Sequence, residues 1–236
     1  MAALDLLRAA AEALSLLAAA PWALLLAAAV FLLLAEGLMF IPRIGFILKL
    51  CIGSLLAAQM LVLFKVAALG EPPELRTLFE AVYLPIDSIL VLCLCALLPF
   101  GAGLAVLAMR KKGSAGYFFG NILRQPPPAP GDFIAFKLAM HLVAAPFTFV
   151  AAAMVLKGHH GWNALEQGLI AALLYWQAPL ALMLLSMAFE WLMSRLQGLL
   201  QPRAFAAISL PLLLAYVLLL FAFTYALSVM AFGLPN

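Results

Sequence analysis

The feature that constrains this chain most is a series of six apolar runs, each about the length of a membrane crossing. A helix needs about 20 predominantly apolar residues to cross the hydrocarbon core of a bilayer. The runs extend from Pro21 to Phe40, Phe46 to Ala68, Ile86 to Met109, Phe133 to Leu156, Gly168 to Met193 and Ala207 to Met230. Of the 236 residues, 68% are hydrophobic and only 10% charged. A soluble domain carries roughly 25% charged residues to cover its surface, so the solvent for this chain is lipid. The expected fold is an all-α, polytopic transmembrane helical bundle of six spans. Residues 1–20 form an N-terminal interfacial helix, 21–109 a first three-helix half, 110–132 a basic, proline-rich cytoplasmic loop and 133–236 a second three-helix half.

The connections carry the remaining information. In residues 1–20, Asp5, Arg8, Glu12 and Ser15 recur at helical spacing among Leu and Ala, the pattern of an amphipathic helix lying in the interface plane. A cleavable signal peptide starts positive, whereas Asp5, Arg8 and Glu12 sum to a negative charge. The stretch "ALGEPPELRTLFEAV", 68–82, has Gly70 at a helix end and Pro72 and Pro73 at a turn. Leu75, Leu78, Phe79 and Val82 then share one face, and Glu74 and Glu80 lie on others. The expectation over 72–82 is a short surface helix that seals the end of the bundle.

Orientation follows the placement of Lys and Arg. Arg110, Lys111, Lys112 and Arg124 make the third loop the strongest cytoplasmic marker, and next to Tyr117, Phe118 and Phe119 they read as an anchor on anionic lipid headgroups. With Arg43, Lys49, Lys137, Arg195 and Arg203, nine basic residues lie on the side of this loop, against four (Arg8, Lys65, Arg76 and Lys157) on the other. "QPPPAP", 125–130, is an extended spacer between the halves.

Ionisable residues inside spans are costly and mark functional candidates. Glu36, Lys49, Lys137, His141 and Glu190 all fall in the cytoplasmic half of the membrane and form the one candidate polar cluster. Either they snorkel and pair near the interface, or they converge on a proton, anion or headgroup pathway. His159 and His160 are adjacent, but no third ligand stands at a usual spacing, so no metal site is expected there. Cys51, Cys93 and Cys95 read as reduced packing residues. Gln59, Thr148, Gln177 and Thr224 can hydrogen-bond between helices, and Pro99, Pro146, Pro179 and Pro211 should kink the helices that contain them. The chain has no Walker loop, G-x-S-x-G, H-E-x-x-H or C-x-x-C.

Within residues 42–82, the turn "IPRIG", an apolar span and "GEPPELRTLF" resemble bacterial polytopic proteins related loosely to the Yip1-like membrane families. The resemblance implies a bundle of about five or six helices with amphipathic connectors, and no catalytic residues. The composition points to a multi-pass protein of the bacterial inner membrane, without cofactor. Its expected partners are membrane lipids and another membrane protein, not nucleic acid. The expected function is that of a non-enzymatic membrane partner, scaffold or assembly factor; the first alternative is a small transporter or channel subunit using the polar cluster, and the second a lipid-modifying or metal-dependent membrane enzyme. A cavity reaching His141 would favour transport, and a closed bundle with an apolar groove would favour the partner.

Overall fold

The structure, a computed structural model, describes residues 6–38, 41, 44–71, 77–110 and 129–233. Among the described residues there is no strand, and five to six helices are long and apolar enough to cross a membrane. Helix α1 (Leu6–Ala19) meets α2 (Pro21–Gly37) at 95°. The bend falls at Ala20, because a residue before proline is driven out of helical geometry while Pro21 itself suits a first helical turn. The polar stripe of α1 faces outward, with Arg8 paired to Glu12 at 3.1 Å. Its opposite face presents the fully buried Ala9 and Ala13 to the core shared with Phe64 and Tyr225. The helix expected over residues 1–20 is therefore present from Leu6 to Ala19 and packed onto the bundle.

Helix α3 (Gly45–Ala68) is followed by a 3-10 segment (Thr77–Tyr83) and α4 (Ile86–Arg110). The sequence predicts an amphipathic helix there, and the observed winding has a specific cause. An α-helix would bond the Ala81 N–H to the Thr77 carbonyl. Instead the side-chain amide of Gln59, buried on α3, inserts between them: its Nε2 donates to the Thr77 carbonyl and its Oε1 accepts from the Ala81 N–H at 2.7 Å. The apolar face expected of Leu75, Leu78, Phe79 and Val82, like Glu74, Lys111, Lys112 and Arg124, lies outside the described residues and side chains.

The second half contains two interrupted helices. Helix α5 (Pro130–Ala144) passes through a 3-10 turn (Ala145–Phe147) into α6 (Val150–Lys157). Pro146 has no N–H to donate and its ring crowds the carbonyl four residues back. Helices α7 (Gly161–Leu174) and α8 (Gln177–Leu199) are separated at Tyr175 and Trp176, so the single run expected over Gly168–Met193 is two helices. The cause is Pro179, which stands four residues after Tyr175 and opposes its carbonyl; Ala178 takes that carbonyl in a tighter turn at 2.9 Å. Pro99 and Pro211, by contrast, lie within the continuous helices α4 and α9 (Pro202–Phe232).

Two contacts fix how the ends of the helices align. At one end, the Gly161 N–H donates to Ser88 Oγ at 2.9 Å, joining the starts of α4 and α7. Gly161 has φ +52°, and an added Cβ would lie 2.1 Å from Asp87 Oδ2, so glycine is required twice over. At the other end, Arg110 donates to the Gly131 carbonyl at 3.2 Å and lies 3.6 Å from Asp132. Helices α6 and α7 are close-packed, with Gly168 so near α6 that a Cβ would sit 2.7 Å from Val150 Cα. Outward, Trp22, Leu26, Leu90, Leu173 and Leu184 are each more than half exposed. Such a surface is unsuited to water and suited to acyl chains.

Candidate functional site

The helix interruption at Ala145–Phe147 borders a cavity of about 390 Å³, and Pro179, which causes the other interruption, lies in its wall. Its wall includes Ser54 and Leu61 of α3, Leu92 and Cys95 of α4, His141 at the end of α5, Phe147 and Thr148 in the 3-10 break, Pro179, Leu182 and Ser186 of α8, and Leu220 and Thr224 of α9. Cys95 lies ten residues into the 25-residue α4, which puts the cavity near half height. Backbone that leaves the helix at membrane depth is tolerated only where protein buries it or a cavity receives it. The break at Ala145–Phe147 meets that condition here.

The end of the cavity nearest Arg110 is polar. Lys137 Nζ donates to Glu190 Oε1 at 2.6 Å, joining α5 to α8. His141, one turn along α5 from Lys137, places Nε2 at 3.7 Å from the same carboxylate oxygen, beyond hydrogen-bonding distance. That Nε2 is buried and has no hydrogen-bond partner. Ser186, one turn along α8 from Glu190, accepts a hydrogen bond from the Tyr216 hydroxyl at 2.8 Å. The Tyr216 ring is itself stacked on Phe189 at 3.9 Å. Spacings of four on two facing helices thus bring Lys137, His141, Ser186 and Glu190 together, with α9 bracing them through Tyr216.

The five expected cluster residues divide into two groups. Lys137, His141 and Glu190 form the group just described. Glu36 and Lys49 pair across the α2–α3 hairpin, with the Glu36 side chain half exposed. Among the described residues no ion pair joins the two groups. Of the expected headgroup anchor, Arg110 is described, and it ties α4 to α5 as well as facing outward. His159 Nδ1 is 3.3 Å from the Asn163 side-chain nitrogen, and no group of three or more His, Cys, Asp or Glu able to hold a metal occurs among the described residues.

The roles expected for the other polar residues also divide. Gln59 does bind a neighbouring element, but Thr148 and Thr224 turn their hydroxyls back to the carbonyls of Ala145 and Leu220. All three cysteines are free. Cys93 faces Cys51 on α3, while Cys95 faces the cavity. Sequence reading did not find Ser186 and Tyr216. The spacing of Ser186 from Glu190 was the available signal on α8, and nothing in the α9 run singled out Tyr216.

Compared with protein-family models, curated proteins and solved structures, the chain has no match in any of the three.

Proposed function

We propose that this is a membrane protein of the transporter or channel-subunit class that holds a small, mostly apolar molecule at mid-membrane depth. The bacterial inner membrane, with the Arg110 end on the cytoplasmic side, is the setting this reading takes from the charge distribution. The observation that carries it is a cavity ending at His141, bordered by the broken helix at Ala145–Phe147 and by Pro179 of α8. Discontinuous helices that meet at a site near the bilayer midplane are a recurrent architecture of membrane carriers. A wall of apolar side chains with a few convergent polar groups is the usual composition of a small-molecule site. The Yip1-like resemblance contributes architecture alone to this reading and assigns no residue of the cavity.

The cavity supplies its own reporter in Cys95. With Cys51 and Cys93 replaced by Ala, N-ethylmaleimide should alkylate Cys95 in the folded protein in native membranes, because water and small solutes reach the wall. A Cys95 that stays unmodified until the protein is unfolded would show a closed, dry bundle, and the transport reading would fall in favour of a partner or scaffold.

A further inference from the structure

The hydrogen-bonding capacity of the cavity can be assigned group by group. Four hydroxyls line it, from Ser54, Thr148, Ser186 and Thr224. Three of these donate to carbonyls of their own chain segments: Ser54 to Cys51, Thr148 to Ala145 and Thr224 to Leu220, each at 2.7 Å. Ser186 differs, because it accepts from Tyr216 and so keeps its own proton for a ligand. The other uncommitted group is His141 Nε2. A ligand therefore meets one hydroxyl donor and one imidazole nitrogen at the polar end, and apolar side chains such as Leu61, Leu92, Phe147 and Leu182 elsewhere. At about 30 Å³ per non-hydrogen atom, near the share of a water molecule in the liquid, the 390 Å³ volume holds on the order of a dozen such atoms.

Resting on the cavity as a binding site, we propose that its ligand is a single-chain carboxylic acid of medium length. The acid binds as the carboxylate, with its head on His141 and Ser186, together with one proton taken up by His141. Charge order favours this head over others. Lys137 and Glu190 already neutralise each other at 2.6 Å, so the site has no free anion for a cationic head. A carboxylate alone would add an unpaired charge, which is strongly disfavoured inside a protein. Protonated His141, next to Glu190, completes a row that alternates in sign: Lys137, Glu190, His141, ligand carboxylate. Ser186 adds a hydroxyl donor to the charged head, a bond stronger than one between neutral groups. The titratable groups facing this point are Lys137 and His141 from α5, Glu190 from α8, Tyr216 from α9 through Ser186, and Cys95 from α4 along the wall; α3 contributes none to the cavity.

The bound state holds one more proton than free protein plus carboxylate. Affinity must then fall as pH rises wherever free His141 is neutral. One linked proton changes affinity by up to tenfold per pH unit. The probe is the rate of Cys95 alkylation by N-ethylmaleimide in the Cys95-only protein, in vesicles of zwitterionic phospholipid, with decanoate, decanol or decyltrimethylammonium added.

Decanoate should protect Cys95, with a half-protecting concentration severalfold to about tenfold higher at pH 7.5 than at pH 6.5. Decanol and decyltrimethylammonium should protect weakly and without that dependence. His141→Gln should abolish the pH dependence, and this comparison removes the titration of the acid itself from the result. Ser186→Ala should weaken protection severalfold and keep the pH dependence, and it decides the matter should His141→Gln fail to fold. Equal protection by decanol, or the same pH dependence in His141→Gln, would overturn the proposal. If Cys95 reacts and no amphiphile protects it, the carboxylic acid assignment is wrong while the cavity reading stands. If Cys95 is unreactive until unfolding, both are wrong.

Discussion

Two acid–base pairs in this chain have similar composition and different surroundings, so they should respond differently to the same substitution. Glu36 and Lys49 sit at a hairpin where the carboxylate is half exposed. Glu190 and Lys137 join α5 to α8 beside the cavity, with side chains 35% and 27% exposed. Exposed pairs contribute about 0–1 kcal/mol, whereas removing one partner of a buried pair can cost about 3–5 kcal/mol. Lys137→Met leaves Glu190 with only His141 nearby, at a distance that makes no hydrogen bond. Thermal denaturation in detergent of the two double-mutant cycles, each built from Glu→Gln and Lys→Met, should give a coupling of about 1–3 kcal/mol for Lys137 and Glu190. The coupling for Lys49 and Glu36 should be below about 1 kcal/mol. Equal coupling in both cycles would mean that the partial burial around Glu190 has no energetic consequence.

At the scale of elements, the 3-10 segment Thr77–Tyr83 depends on one side chain of another helix. Gln59 satisfies the Ala81 N–H and the Thr77 carbonyl at once, and it is only 3% exposed. Gln59→Leu keeps the volume approximately and leaves both backbone groups without this partner. An unsatisfied buried polar group costs about 1–3 kcal/mol, and the segment can recover part of that by winding into an α-helical turn. The expected net loss is about 1–3 kcal/mol in thermal unfolding, with faster hydrogen exchange at Ala81; unchanged exchange there would show that the bond is not made. This contact also shows where sequence reading stops. Apolar length made the runs legible, and Pro146 and Pro179 gave warning of the interrupted helices. Hydropathy sums over length and does not see backbone hydrogen bonding, so Pro179 marked a kink but not the full division at Tyr175 within a continuous apolar stretch. Gln59 was legible as a hydrogen-bonding residue, but its partner is 18 to 22 residues away along the chain and on no common helix face. The Lys137–His141 face was legible because it lies within one helix, whereas its meeting with Ser186, Glu190 and Tyr216 depends on tertiary packing.

For the whole molecule, the helix ends sort into two layers with different charge. The layer containing the Arg110–Gly131 contact includes the end of α8 and the start of α9, and among described residues it carries Lys49, Arg110, Lys137, Arg195 and Arg203 in its half of the bundle. The layer containing the Ser88–Gly161 contact carries Lys65, Lys157 and, on α1, Arg8. Helix α1 belongs with this second layer, because Ala9 and Ala13 share a core with Tyr225 and Leu227 near the end of α9. Three of the four tryptophans suit the interfaces on both sides: Trp22 and Trp162 start α2 and α7, and Trp191 stacks under Arg195 at 5.3 Å. The bias of basic residues is what supports the proposed orientation, with the first layer on the cytoplasmic side. Two exposed positions report the layers directly, Gln201 between α8 and α9 and Glu71 after α3. In a protein without native cysteines, a membrane-impermeant maleimide added to intact cells should label Glu71→Cys and leave Gln201→Cys unlabelled until the membrane is permeabilised. The reverse order would invert the orientation and put the Lys137, His141 and Glu190 group in the outer half of the membrane. Equal labelling of both before permeabilisation would be incompatible with α4, α5–α6 and α7–α8 as crossings, and with a cavity at mid-membrane depth.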